Sequence, residues 1–402
     1  MRSRSRGGRR AGYKTRVKIT RFKFDDHGAD WHLEETAFDQ LNLLVGVSGV
    51  GKTKILEALR RLCRMATGGK TSPGQIEWFL EFEHDGRSYQ WEGLTGAKTT
   101  SELLEDVSSD ENDVVILRER LVPAGEAPLF ERDQRRIRFR DQTMPPLSEL
   151  GSALHILKSE KELSAIREGF LFVLFSAAAY PQTGILNGVP NDVNDTDALK
   201  AVWPNVSFDV FSVSLKVHRF NPMLEAHILQ ALYPEKFSEI KDDFLDIFGS
   251  LTDMRVERTA VPGDEQKTSL RFAIQERGSS RWIQQAEMSS GMRRTLAHIF
   301  EMALAPPNSV IVIDEFENGL GVNCMSDLAR IVSTRADCQV ILTSHHPYII
   351  NSIPLDAWKL VTRKGGHVRV TSARDIPQMQ SASRLEAFTR LINLPQFEEG
   401  IQ

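Results

Sequence analysis

The chain has 402 residues, 41% hydrophobic and 26% charged, enough apolar content for packed cores and enough length for two or three domains. No apolar run approaches the roughly 20 residues needed to cross a bilayer, so no membrane span is expected. Net charge is −4, yet residues 1–23 hold ten Lys or Arg and no acid; the remainder is therefore acidic, which argues against a body that coats nucleic acid throughout.

In chain order, MRSRSRGGRR opens a basic tail over 1–13, expected to be disordered. It is either a nucleic-acid contact or a solvated tail without a partner. Alternation in Thr15–Phe24 predicts a first strand and HLEETAF a second. The apolar run Leu41–Val45 reads as a buried central strand. After it, Lys52–Ala66 places Ile55, Leu56, Leu59, Leu62, Cys63 and Ala66 on one helical stripe. Strands follow at Ile76–Glu83, Ser88–Glu92 and Val114–Leu117. Long helical patterns then cover Leu154–Tyr180, Pro222–Leu232 and Phe237–Ile247, around a polar stretch at Asn187–Asp197. Strands return at Arg255–Thr259 and Ser269–Gln275. The last third alternates helix Met292–Ala305, strand Ser309–Ile313, a further helix, strand Gln339–Thr343 and a closing strand pair. The predicted organisation is a discontinuous α/β head over 14–145 and 266–375, a mainly helical insertion over 146–265, and a C-terminal helix and tail over 376–402.

Residues Gly46–Thr53, GVSGVGKT, satisfy G-x-x-x-x-G-K-[ST] in full, with a strand before and an amphipathic helix after. Backbone N–H groups of Gly46, Ser48, Gly49, Val50 and Gly51 would cradle phosphates, the glycines allowing close approach. Lys52 supplies charge to the terminal phosphates, and the Thr53 hydroxyl suits Mg²⁺. The apolar strand SVIVI ends in Asp314-Glu315, two carboxylates at a strand's C-terminal edge. Asp314 is assigned to the Mg²⁺ shell and Glu315 to orienting and deprotonating water, a role that points to hydrolysis. Upstream, EMSSGMRRTL puts Ser289, Ser290 and Gly291 at a helix N-terminus, suited to an anion or to simple capping. His345, in TSHHP just past the next strand, is expected to contact the terminal phosphate.

Taken together, KITRFKF, GVSGVGKT, MSSGM, IVIDEFENGL and TSHHP resemble the ABC-type, AAA-family ATPase heads of the RecF, SMC and OLD group. They span Lys18 to about Ile350. The resemblance implies a P-loop ABC-type head that binds ATP and Mg²⁺. It also implies a homodimer or larger homo-oligomer, two heads trapping ATP with Ser289, Ser290 and Gly291 reaching the partner's nucleotide. Asn318-Gly319-Leu320 would be the loop between the two sites. The family's glutamine loop has no clear counterpart; Gln142 is taken as the candidate, with Gln134 as the alternative. Ser290 and Met292 stand where transporters carry Gly and Gln, which favours the OLD-like branch, while the 57 residues after His345 do not fit a Toprim nuclease.

The leading functional reading is an ATP-hydrolysing, dimerising switch acting with a separately encoded effector, a nuclease or toxin, in bacterial antiphage defence. A second is a RecF-like, DNA-binding repair ATPase, resting on the tail and on Arg132, Arg135, Arg136, Arg138 and Arg140, although a solvated hairpin also accounts for those arginines. A third is an ATP-stabilised scaffold with little turnover. Three cysteines (Cys63, Cys324, Cys338) without a CxxC pair, and no apolar leader, predict a reducing cytoplasmic setting.

Overall fold

The computed structural model describes residues 16–69, 74–97, 114–176, 184–187, 199–200, 206–218, 222–261, 264–379 and 384–393. Its N-terminal strands are β1 (Val17–Asp26), β2 (Trp31–Ala37), β3 (Leu41–Val45), β4 (Ile76–His84), β5 (Arg87–Ala97) and β6 (Val114–Pro123). Three short ones follow, β7 (Phe130–Asp133), β8 (Ile137–Phe139) and β9 (Gln142–Met144), then β10 (Val173–Phe175) and β11 (Gly184–Asn187). The remainder are β12 (Leu251–Val261), β13 (Asp264–Glu276), β14 (Trp282–Gln284), β15 (Val310–Ile313), β16 (Gln339–Thr343), β17 (Trp358–Lys364) and β18 (His367–Ser372).

Among the described residues, fourteen strands form one mixed sheet in the order β10-β15-β16-β3-β17-β18-β2-β1-β4-β5-β6-β7-β8-β9. The run from β10 to β17 is parallel. From β2 outward to β9 the pairing is antiparallel. The fold is thus the α/β class expected.

The parallel strands separate two apolar cores, because successive side chains point to opposite faces. Leu43, Ile311, Ile313, Val340 and Leu342 enter one core; Leu44, Val310, Val312 and Ile341 enter the other. The second core holds helix α1 (Lys52–Thr67), whose expected stripe is buried from Ile55 to Ala66. The first holds the helices Ser290–Leu304 and Val322–Thr334, and those of the insertion.

Four expectations about the insertion are corrected. The apolar pattern at 154–180 is not one helix: it forms Ala153–Ile156, Lys161–Phe170 and then β10, which joins the large sheet beside β15. A short continuous apolar run such as FVLF serves a buried strand as well as a helix, and sheet pairing decides. Leu154, Leu163, Ile166 and Phe170 pack in the α1 core, so the segment from 146 to 176 belongs with the head. The boundary at 265/266 cuts through β13, which pairs with β11, β12 and β14 in a second, antiparallel sheet. That sheet lies with helices Phe208–His218, Pro222–Leu232 and Pro234–Ile247, so the insertion is a helix-and-sheet module rather than mainly helical. The basic tail and most of Asn187–Asp197 lie outside the described residues. No described helix is long and apolar enough to cross a membrane.

Candidate nucleotide site

The P-loop turns from the end of β3 into α1. At Gly46 any Cβ would stand 2.5 Å from the Val361 carbonyl oxygen, so the residue type is set by backbone approach from β17. Gly51 caps α1 at φ +106°, a left-handed conformation that favours glycine, directly over the indole of Trp31. Val50 turns its side chain into the core, which leaves only its backbone for a ligand. Beyond the loop, Ser48, Gly49, Gly51, Lys52 and Thr53 line a cleft of about 240 Å³ with Lys54, Glu315, Thr343, Ser344 and His345.

Inside the cleft the side chains are already organised. Lys52 Nζ donates to the Gly46 and Val47 carbonyls at 2.7 and 3.0 Å, curled over its own loop. Burial pushes the Lys52 amine below its ordinary pKa, while Glu317, Asp314 and Glu315 push the other way. Thr53 Oγ1 donates to Asp314 Oδ1 at 3.2 Å, and Thr343 Oγ1 donates to the same oxygen at 2.7 Å. Thr343 Oγ1 in turn accepts from the Glu315 N–H at 2.7 Å. Glu315 sits at φ +45°, strained for a side chain with a Cβ, and this hydrogen bond helps to hold it there. Its carboxylate accepts from Asn318 Nδ2 at 3.3 Å and is otherwise exposed to the cleft.

These residues fit Mg²⁺ and a triphosphate. The Thr53 hydroxyl and the Asp314 carboxylate meet at 3.2 Å in the same site as the Lys52 amine, and two oxygen ligands plus phosphate oxygens suit a cation that keeps most of its shell from water and substrate. Among the described residues no cluster of three or more His, Cys, Asp or Glu is placed to hold a metal by itself.

Ser289, Ser290 and Gly291 do not line this cleft. Ser289 caps the Ser290–Leu304 helix, its hydroxyl accepting from the Met292 N–H at 3.1 Å, with Ser289 and Ser290 exposed. Gly291 abuts the loop after Glu315: a Cβ there would meet Gly321 N at 3.2 Å. Signature corner and Asn318-Gly319-Leu320 thus form one continuous surface.

Gln142 is a correction. It lies exposed at the start of β9, the edge strand, with nine strands between β9 and β3. A glutamine beside a polar boundary carries no local pattern that reports where the sheet will place it. The nearby arginines form the β7–β8 hairpin, and most are paired. Arg132 is buried against Glu119 at 3.0 Å, Arg138 meets Glu131, and Arg140 meets Glu162.

Two participants escaped the sequence reading. Thr343 joins Asp314 to Glu315 across 29 and 28 residues. Glu317, third after Asp314, is buried and accepts from the His345 backbone N–H at 2.8 Å. Its place in IDEFEN was the available signal.

In this mixed α/β fold the glycine loop between β3 and α1 and the carboxylate pair after β15 meet at one cleft, the arrangement of a P-loop nucleotide site. Residues 190–351 match the family profile described as "AAA domain, putative AbiEii toxin, Type IV TA system". The matched stretch holds Ser289–Gly291, Asp314, Glu315 and His345 but not the P-loop. Among solved structures, the chain is similar to an SMC head bound to the C-winged helix domain of ScpA (12% identity, 88% of this chain, 96% of that one, TM-score 0.45). It is also similar to the SMC head domain from Thermotoga maritima (11% identity, 88% and 98%, TM-score 0.37). A third is the Smc head with an extended coiled coil bound to the C-terminal domain of ScpA, derived from Pyrococcus furiosus (13% identity, 94% and 99%, TM-score 0.41). Likeness at that level decides no activity. No curated protein matches the chain in sequence.

Proposed function

We propose that the chain binds ATP with Mg²⁺ in the P-loop cleft and hydrolyses it when two copies close on each other. The observation that carries this reading is the division of the machinery. Lys52, Thr53, Glu315 and His345 line one cleft, with Asp314 bonded to Thr53 beside it, whereas Ser289 and Ser290 sit exposed and, with Gly291, are not among the residues that line it. A helix N-terminus with free N–H groups is an anion site in search of a phosphate, and a second copy supplies one.

In this reading Lys52 leaves the loop carbonyls for the terminal phosphates, and backbone N–H groups of the loop hold the β-phosphate. Magnesium held by Thr53 Oγ1 and Asp314 Oδ1 would supply charge neutralisation at the phosphate oxygens. Glu315 takes a proton from water as its oxygen bonds to the terminal phosphorus; the bond to the bridging oxygen breaks and its electron pair leaves with ADP. Thr343 fixes the Asp314 carboxylate and the Glu315 backbone relative to the strand ends. We propose further that the switch acts in defence through a separate nuclease or toxin; the matched family description names a putative toxin of a Type IV toxin–antitoxin system.

Mixing variants tests the composite site. Lys52→Ala removes charge-assisted contacts worth about 1.5–3 kcal/mol each, so nucleotide affinity by calorimetry should fall roughly ten- to hundredfold. Ser290→Arg should bind nucleotide but not turn over. Combined, the two inactive chains regain ATPase activity, because the mixed dimer holds one intact P-loop facing one intact signature. If the mixture stays as inactive as its parts, each chain works alone and the sandwich is wrong. Co-purification of a neighbouring gene product, and loss of phage resistance in Lys52→Ala cells, test the effector reading.

A further inference from the structure

Glu317 is nearly out of solvent, its side chain 5% exposed, yet only one of its oxygens is used. Oε1 accepts from the His345 backbone N–H at 2.8 Å and lies 2.6 Å from His345 Nδ1. Oε2 is buried without a hydrogen-bond partner. His345 itself is 58% exposed and lines the nucleotide cleft. A buried carboxylate with an unused oxygen is costly to keep and needs a reason. Packing alone would be served as well by an apolar side chain.

We propose that Glu317 is the positioning residue of His345: it fixes the ring's orientation and its Nδ1–H tautomer, so that Nε2 is the nitrogen turned to the reacting end of bound nucleotide. The proposal rests on the hydrolytic reading above and adds a residue to it. A carboxylate only accepts, so the nitrogen facing Oε1 must carry the proton. In that tautomer Nε2 is an acceptor, and the partner it suits is a donor. An attacking water that gives one hydrogen to Glu315 and the other to His345 Nε2 keeps its lone pairs for phosphorus. The two bonds from one residue to one oxygen hold the carboxylate as firmly as the ring, since the backbone N–H cannot turn.

Three measurements on the full chain decide it. Removing a group that orients another commonly costs about 10- to 100-fold in activity, so Glu317→Ala should lower kcat by that factor. Nucleotide Kd should move by less than about threefold, since no cleft contact is lost. Glu317→Gln should recover most of the loss: the His345 backbone N–H selects the amide oxygen for the Oε1 position, which still accepts from Nδ1–H. Coupling is read from the double variant, which should be no slower than His345→Ala alone. Nitrogen-15 spectra of histidine-labelled protein should report a protonated Nδ1 at His345 in the parent and in Glu317→Gln, and a mixed tautomer in Glu317→Ala. Additive losses, or an unchanged His345 spectrum in Glu317→Ala, overturn the proposal. A parent chain that hydrolyses no ATP sinks the hydrolytic reading instead, while the spectra still decide the dyad.

Discussion

The two halves of the large sheet obey different rules. In the parallel half, β15 and β16 are buried at every position and β3 at all but its first, each strand feeding two cores. In the antiparallel half, burial alternates, as in β4, with one face against α1 and the other open and laced with ion pairs. Strands buried on both faces hold a polar side chain only where it is fully partnered, as Asn42 and Gln339 are, so chemistry collects where they end: Asp314 and Glu315 after β15, Thr343 at the end of β16, the P-loop after β3. Strands with a wet face can carry charge anywhere, and the charges there mostly neutralise one another.

That contrast yields graded expectations. The largest concerns the parallel strand ends: Glu315→Gln should retain nucleotide but lose turnover by about 10²–10⁴, measured by single-turnover hydrolysis. A variant as fast as the parent would place the base elsewhere. Next is the exception inside the antiparallel half, where Glu119 is buried. It accepts from Trp91 Nε1 at 2.9 Å, the Ala153 N–H at 2.8 Å and the Ser152 hydroxyl, and is paired with Arg132. Glu119→Ala strands that arginine and should cost about 3–5 kcal/mol in denaturant unfolding, with nucleotide affinity unchanged. Altered affinity would mean that the two halves are coupled.

The smallest effect belongs to the open face. Arg21 bridges Glu35 and Glu81 but is 40% exposed, so Arg21→Ala should cost less than about 1 kcal/mol. Its hydrogen bond holds the Glu81 carboxyl below its ordinary pKa, opposed by burial. A depressed carboxylate contributes its stability above the unfolded-state pKa and loses it as pH falls through the folded-state value. The difference between parent and Arg21→Ala should therefore be full near neutrality and vanish well below roughly pH 4, followed by denaturant midpoints. A difference that persists in acid would show packing, not charge.

Most of the site was legible because its pieces are contiguous. GVSGVGKT needs eight neighbouring residues and no distant partner, and Asp314-Glu315 announces itself by the apolar strand before it. Thr343 and Glu317 were not legible, since a threonine ending a strand and a glutamate in a turn acquire roles only when β15 and β16 lie side by side. Gln142 failed for the converse reason: its place depends on the order of ten strands. The run at 170–175 failed because apolar content does not choose between helix and strand.

By itself, the sequence determined the local chemistry: a loop whose glycines admit phosphate, the lysine and threonine that follow, and a carboxylate pair at a strand end. Tertiary structure alone decided which oxygen Thr53 and Thr343 share, that Glu317 grips His345, and that the signature corner does not line its own nucleotide cleft. Backbone conformation and side-chain character are set by neighbours in the chain. Distances across the sheet are set by register, which emerges only when both cores have packed.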